Sequence, residues 1–106
     1  MEVRRFDVFW VSFDPTVGSE IHKSRPALII SPDEANSILN TVIVAPITSA
    51  VKHYPTRLEI GLQGKRGQIA FDQIRAVDKT RLKKKLATID EALSKKVIDL
   101  LQLMFS

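Results

Sequence analysis

Only one long stretch of this chain, Ile89 to Met104, repeats its apolar residues at the helical period; almost everything before it is cut into short apolar runs by polar turns. Ile89, Leu93, Val97, Leu100, Leu101 and Met104 fall on one face, while Lys95, Lys96, Asp99 and Gln102 fall mainly on the other. Thr88 and Glu91 have the spacing of a capping box, and Asp90 and Glu91 suit the positive start of a helix, so Thr88 is predicted to cap it. The runs ahead of it read as strands: Phe6 to Phe13, Ala27 to Ile30, Thr41 to Ile47, Arg57 to Ile60, then Gln68 to Phe71 and Ile74 to Val77 as one bent strand or two. Leu86 to Thr88 is expected to pair briefly. Thr41 to Ile47 is the richest in β-branched residues, with Pro46 marking its end or a bulge. Glu34 to Leu39 predicts one or two helical turns, closed by Asn40, and Gly61 to Gly67 predicts a basic loop with three glycines. The expectation is a mainly β chain with helices: a small, strongly bent antiparallel sheet or barrel with the C-terminal helix packed on it.

Its 106 residues suffice for one domain, taken as residues 1–106, with a single core. No apolar run approaches the roughly 20 residues that cross a bilayer. The start, MEVRRFD, is followed by no apolar signal segment, so no membrane is expected and the cytoplasm is the expected compartment. Without cysteine there are no disulfides, thiolate zinc sites or thiol nucleophiles. The two histidines, His22 and His53, lie too far apart to indicate a metal by spacing, and neither metal nor cofactor is expected. A net charge of +4 favours an anionic partner, nucleic acid being the commonest. Much of the excess lies in Lys79 and Arg81-Leu-Lys-Lys-Lys85, a run that reads equally well as a solvated turn or strand edge.

The polar loop between the first two strands carries the clearest functional signal. Asp14, Ser19, Glu20, His22, Lys23, Ser24 and Arg25 lie there, held by Pro15, Gly18 and Pro26. A compact domain rarely spends about a dozen residues on such a connection without a use for it. Carboxylate, hydroxyl and guanidinium groups within mutual reach are the equipment of an acid-base or phosphate-handling site. Two more polar pairs emerge from apolar surroundings: Thr48 and Ser49 after the strongest strand, and Asp72 and Gln73 after another, with Arg75 beyond. Singly, each has an ordinary reading: Glu20 as a surface carboxylate, Arg25 as an ion-pair partner, Thr48 and Ser49 as a turn or cap, Asp72 as an acceptor at a strand end.

Taken together, DVFWVSFDPTVGSE, RPALIIS, TVIVAPITS and FDQIRAVDKTRL resemble the defining blocks of the MazF/PemK family of toxin endoribonucleases, in that family's order and over nearly the whole chain. The resemblance implies an SH3-like small barrel of the CcdB/MazF/PemK toxin type and a homodimer. It implies metal-free, sequence-specific cleavage of single-stranded RNA to 2′,3′-cyclic phosphate and 5′-hydroxyl ends, inhibiting translation and growth. A MazE-like antitoxin with an acidic, disordered tail is the implied partner. By position, Arg25 and Thr48 match the family's catalytic pair, Glu20 matches an acidic site residue of many members, and Asp72 matches a carboxylate that some members use as base. Some relatives carry histidine at Ser19 and arginine at Ala70. The Asp-centred scheme thus lacks two helpers here, which favours Glu20, Arg25 and Thr48.

Cleavage of this kind requires the ribose 2′-OH to lose a proton, the leaving oxygen to gain one, and phosphoryl charge to be stabilised. Glu20 is the expected base. Arg25 keeps its proton, so it is expected first to clamp the phosphate and second to deliver a proton. Thr48 and Ser49 are expected to donate to the same phosphate. Ser19, Ser49, Lys52, Tyr54 and Gln73 are the expected substrate-binding positions, and Arg57, Lys65 and Arg66 lie where they would extend a basic surface for splayed bases. Alternatives are a non-catalytic, CcdB-like gyrase poison on the same fold, and an SH3-like protein-binding module. The poison depends on C-terminal residues including a tryptophan, whereas this chain ends Leu103-Met104-Phe105-Ser106 and has only Trp10.

Overall fold

Thr41 to Thr48 forms the central strand, as its β-branched content predicts. The computed structural model describes residues 1–106. In chain order the elements are β1 (Asp7–Ser12), β2 (Ser24–Ile29), α1 (Asp33–Asn36), β3 (Thr41–Thr48), β4 (Arg57–Leu62), β5 (Lys65–Ala70), β6 (Arg75–Asp78), β7 (Leu82–Thr88) and α2 (Glu91–Phe105). All pairings are antiparallel, in the order β4-β5-β3-β2-β1-β7, with β6 also on β3. One edge of β3 holds β2. The other holds β6 over Thr41–Val44 and then β5 over Ile47 and Thr48. Pro46, which has no N–H to give, sits between these two partners rather than ending the strand.

The curled sheet buries both faces, which explains why runs such as Ala27-Leu28-Ile29-Ile30 are continuously apolar. Alternation sorts them into two clusters. Phe9, Val11, Phe13, Ala27, Ile29, Val42, Val44, Val77 and Leu82 pack together on one side. Val8, Leu28, Ile30, Ala45, Ile47, Ile60, Ile69 and Phe71 pack on the other, where α2 closes the layer with Val97, Leu93, Leu100, Leu101 and Met104. This is the mainly β architecture with a packed C-terminal helix that the sequence predicts.

Four local expectations are corrected. Gly61 to Gly67 is no loop: β4 and β5 form a hairpin whose two-residue turn, Gln63-Gly64, has both residues at positive φ. Strand β2 begins at Ser24, three residues before the apolar run, because Ser24, Arg25 and Pro26 pair with Ser12, Val11 and Trp10. Arg25 therefore sits on a strand, not in the loop. The basic run belongs to β7, longer than expected and at the edge of the sheet, where Lys83, Lys84 and Lys85 are exposed and Leu82 and Leu86 are the anchors. Finally, Asp90 caps α2 by accepting from Leu93 N–H (2.8 Å), while Thr88 instead donates to the buried Asp7 carboxylate (2.8 Å).

Candidate active-site cleft

Arg25 and Thr48 stand where the inner apolar rows of β2 and β3 run out. Ala27 and Ile29 follow Arg25 on its face of β2, and Val44 and Pro46 precede Thr48 on its face of β3. Ala27 pairs with Pro46 in the last pair of that register, and Arg25 and Thr48 lie two residues beyond it on each antiparallel strand. Both line a cleft of about 380 Å³, together with Trp10, Ser24, Pro26, Ile47, Ser49, Lys65, Arg66 and Gly67.

The groups facing this cleft are free to bind an anion. Arg25 Nε donates to the His22 carbonyl (3.0 Å), which fixes the fork. Arg25 joins none of the molecule's ion pairs, so its terminal N–H groups remain for a ligand. Thr48 is only 7% exposed; its Oγ1 accepts from Ala50 N–H (3.1 Å), leaving the hydroxyl proton to donate into the cleft. Lys65 and Arg66 add positive charge from the hairpin.

Two features support Thr48 that sequence reasoning did not find. Gln68, its partner on β5, is buried and makes two hydrogen bonds to the Lys52 backbone, accepting from N–H (3.0 Å) and donating to C=O (3.1 Å). This pins the segment after Thr48. Gly67 lies against the same strand: a Cβ there would sit 3.0 Å from the Thr48 carbonyl oxygen and 3.3 Å from Ile47 Cγ2. Only strand register reveals either role.

The loop between β1 and β2 is anchored at its base. Phe13 N–H donates to Lys23 C=O (3.2 Å), and Lys23 N–H donates to Asp14 Oδ1 (2.9 Å). Arg75 donates to the Phe13 carbonyl (3.4 Å), and Arg81 to those of Ser12 (3.1 Å) and Asp14. Gln73 accepts from Ile21 N–H (3.4 Å), so it holds this loop and does not line the cleft. At the tip, Glu20 closes a turn: its carboxylate accepts from Val17 N–H, and its own N–H donates to Val17 C=O. Glu20 and Ser19 are exposed loop residues outside the cleft lining.

The remaining expected positions lie outside the cleft lining. Lys52 and Tyr54 are exposed and do not line the cleft. Tyr54 stacks on the Arg57 guanidinium, 5.2 Å from its ring centre. Arg57 in turn holds Asp72 bidentately (2.7 and 3.0 Å), with Thr56 adding a third hydrogen bond (2.9 Å). These bonds, the Arg57 contact foremost, hold the Asp72 carboxyl below the usual range and make it a weak proton acceptor. Thus Arg25, Thr48 and Ser49 come together, Glu20 stands in the adjoining loop, and Asp72 is engaged elsewhere.

Comparison with known proteins bears on the family and the fold. A family model described as PemK-like, MazF-like toxin of type II toxin-antitoxin system matches residues 4–105. Endoribonuclease EndoA of Bacillus subtilis is 37% identical over 97% of this chain and 94% of its own length. Endoribonuclease MazF of Staphylococcus epidermidis is 40% identical over 85% of this chain and 80% of its own. The crystal structure of MazF from Deinococcus radiodurans superposes with a TM-score of 0.86 at 26% identity, covering 99% of this chain and 97% of that one. A MazE-MazF crystal structure from the same organism gives 0.80 at 23% identity, covering 100% and 97%. With the family model matched over residues 4–105 and two relatives at 37% and 40% identity, the chain belongs to the PemK-like, MazF-like toxins of type II toxin-antitoxin systems.

Proposed function

We propose that this chain is a toxin endoribonuclease that cuts single-stranded RNA without a metal, leaving 2′,3′-cyclic phosphate and 5′-hydroxyl ends, and so inhibits translation and growth. The observation that carries this reading is the pairing of an uncommitted arginine fork with a threonine hydroxyl in one basic cleft. A phosphodiester fits that set: Arg25 clamps the non-bridging oxygens bidentately, and Thr48 and Ser49 donate to the same group. The positive charge that the lining itself supplies comes from Arg25, Lys65 and Arg66.

Glu20 is the proposed base. It takes the 2′-OH proton as that oxygen attacks phosphorus, and the P–O5′ bond breaks with the leaving oxygen taking a proton from water or along the Arg25 N–H. Val17 N–H occupies only Oε1 of Glu20, which leaves Oε2 to take the 2′-OH proton. Asp72 is disfavoured, because taking a proton would sacrifice its bonds to Arg57 and Thr56. Lys65 and Arg66 are proposed to draw the strand in. The basic cleft also suits the acidic tail of a MazE-like antitoxin, and a homodimer is the proposed assembly. The proposed place of action is the cytoplasm; no helix is long and apolar enough to cross a membrane.

The test is incubation of the purified chain with a long RNA in excess chelator, with cut sites and end groups mapped. Discrete cuts bearing cyclic phosphates support the proposal. Intact RNA would favour the gyrase-poison or protein-binding alternatives.

A further inference from the structure

We propose that Trp10 is a stacking platform in the cleft, receiving the face of a nucleobase that flanks the scissile phosphate of single-stranded RNA. This rests on the nuclease reading above. Trp10 is 40% exposed, whereas Phe9, Phe13 and Phe71 are fully buried. Strand alternation explains its place: Val8 and Trp10 share a row, and α2 covers the Val8 end of that row. Trp10 sits beyond, facing Pro26 across β2 and Lys84 across β7.

The indole is also unclaimed. The three arginine–aromatic stacks of the molecule use Phe6, Tyr54 and Phe13, and none uses Trp10. The other exposed aromatics, Tyr54 and Phe105, lie outside the cleft, Phe105 at the end of α2.

Register divides the cleft into two kinds of surface. Trp10, Pro26 and Ile47 continue the rows of Val8, Leu28 and Ala45, giving an apolar floor. Arg25, Thr48 and Arg66 supply a polar, cationic side. A nucleotide has the same division, a flat base joined to an anionic phosphate. With Arg25 and Thr48 on the phosphate, the flat surface left for the neighbouring base is the indole. Stacking of this sort needs an unpaired base and tolerates any of the four.

Trp10 is the only tryptophan, so its fluorescence reports the contact directly. The probe is a short 2′-deoxy oligomer spanning a mapped cut site, with binding followed independently by anisotropy of an end label. Saturable quenching is expected in step with binding, abolished by an abasic residue at one position beside the cut. Trp10→Leu is expected to raise KM roughly tenfold to a hundredfold with kcat nearly unchanged, and Trp10→Phe to recover most of the loss. Binding without any change in Trp10 emission, or wild-type KM in Trp10→Leu, would overturn the platform while leaving the nuclease reading intact. Failure of the wild type to cut RNA at all would overturn both.

Discussion

At the scale of single residues, Arg25 and Thr48 differ from their neighbours in having donors left over. Thr48→Val keeps the shape of the side chain and removes the hydroxyl. Loss of one such donor typically costs about 3–4 kcal/mol of transition-state stabilisation, so RNA cleavage is expected to fall about 10²–10³-fold, with Thr48→Ser retaining most of it. The two carboxylates separate by a paired comparison. Glu20→Gln is expected to abolish most activity without moving the unfolding midpoint, because the amide oxygen can still accept from Val17. Asp72→Asn is expected to keep most activity and lose about 1–2 kcal/mol of stability through the Arg57 pair. Single-turnover rates and urea denaturation on the two variants check both statements, and the reverse pattern would make Asp72 the base. The residue types at this site were legible in the sequence because Glu20 and Arg25 fall in a long polar connection between apolar runs and Thr48 ends the strongest of those runs. The commitment of Asp72 to Arg57, fifteen positions earlier, was not: it depends on the β4–β5 pairing, which no local pattern announces.

At the scale of elements, the site is a product of strand register. Thr48 is placed by its pairing with Gln68 of β5, two residues past the last β2 pair at Pro46, and Gly67 lets β5 come close. Gly67→Val is therefore expected to push the Thr48 carbonyl away and cut kcat, with circular dichroism showing the sheet retained. Gln68→Leu removes both bonds to Lys52 and frees the segment after Thr48; the expected result is a raised KM and a milder fall in kcat, read from initial rates at several RNA concentrations. Unchanged kinetics would show that the clamp serves stability alone. The strands themselves were readable because β-branched runs and turn residues alternate along the chain. The β4–β5 hairpin was missed because Gln63-Gly64 is not the usual Asn-Gly turn signal, and three glycines near basic residues imitate a loop. The cap of α2 was misplaced because Thr88 and Asp90 both have capping chemistry, and only the tie between Thr88 and Asp7 decides between them.

For the molecule as a whole, the sheet spends its apolar residues on two faces, and the cleft lies where both faces run out. That economy leaves Leu103 and Phe105 exposed at the end of α2, consistent with the dimer proposed above. Sedimentation at micromolar concentration is expected to give a dimer, and a monomer would contradict that part. Acid should also act globally. Asp72 is held below the ordinary carboxylate value of about 3.9, so its contribution is complete above that value and is lost as pH falls through its lowered folded-state pKa. The unfolding midpoint is thus expected to drop below about pH 4, and less steeply in Asp72→Asn. The most direct measurement is cleavage of one long RNA by the wild type and Arg25→Ala, in chelator, with end groups mapped. The wild type should yield discrete fragments ending in cyclic phosphate, and Arg25→Ala, folded to the same extent, should be slower by orders of magnitude. Near-normal cutting by Arg25→Ala would contradict a mechanism built on a guanidinium clamp.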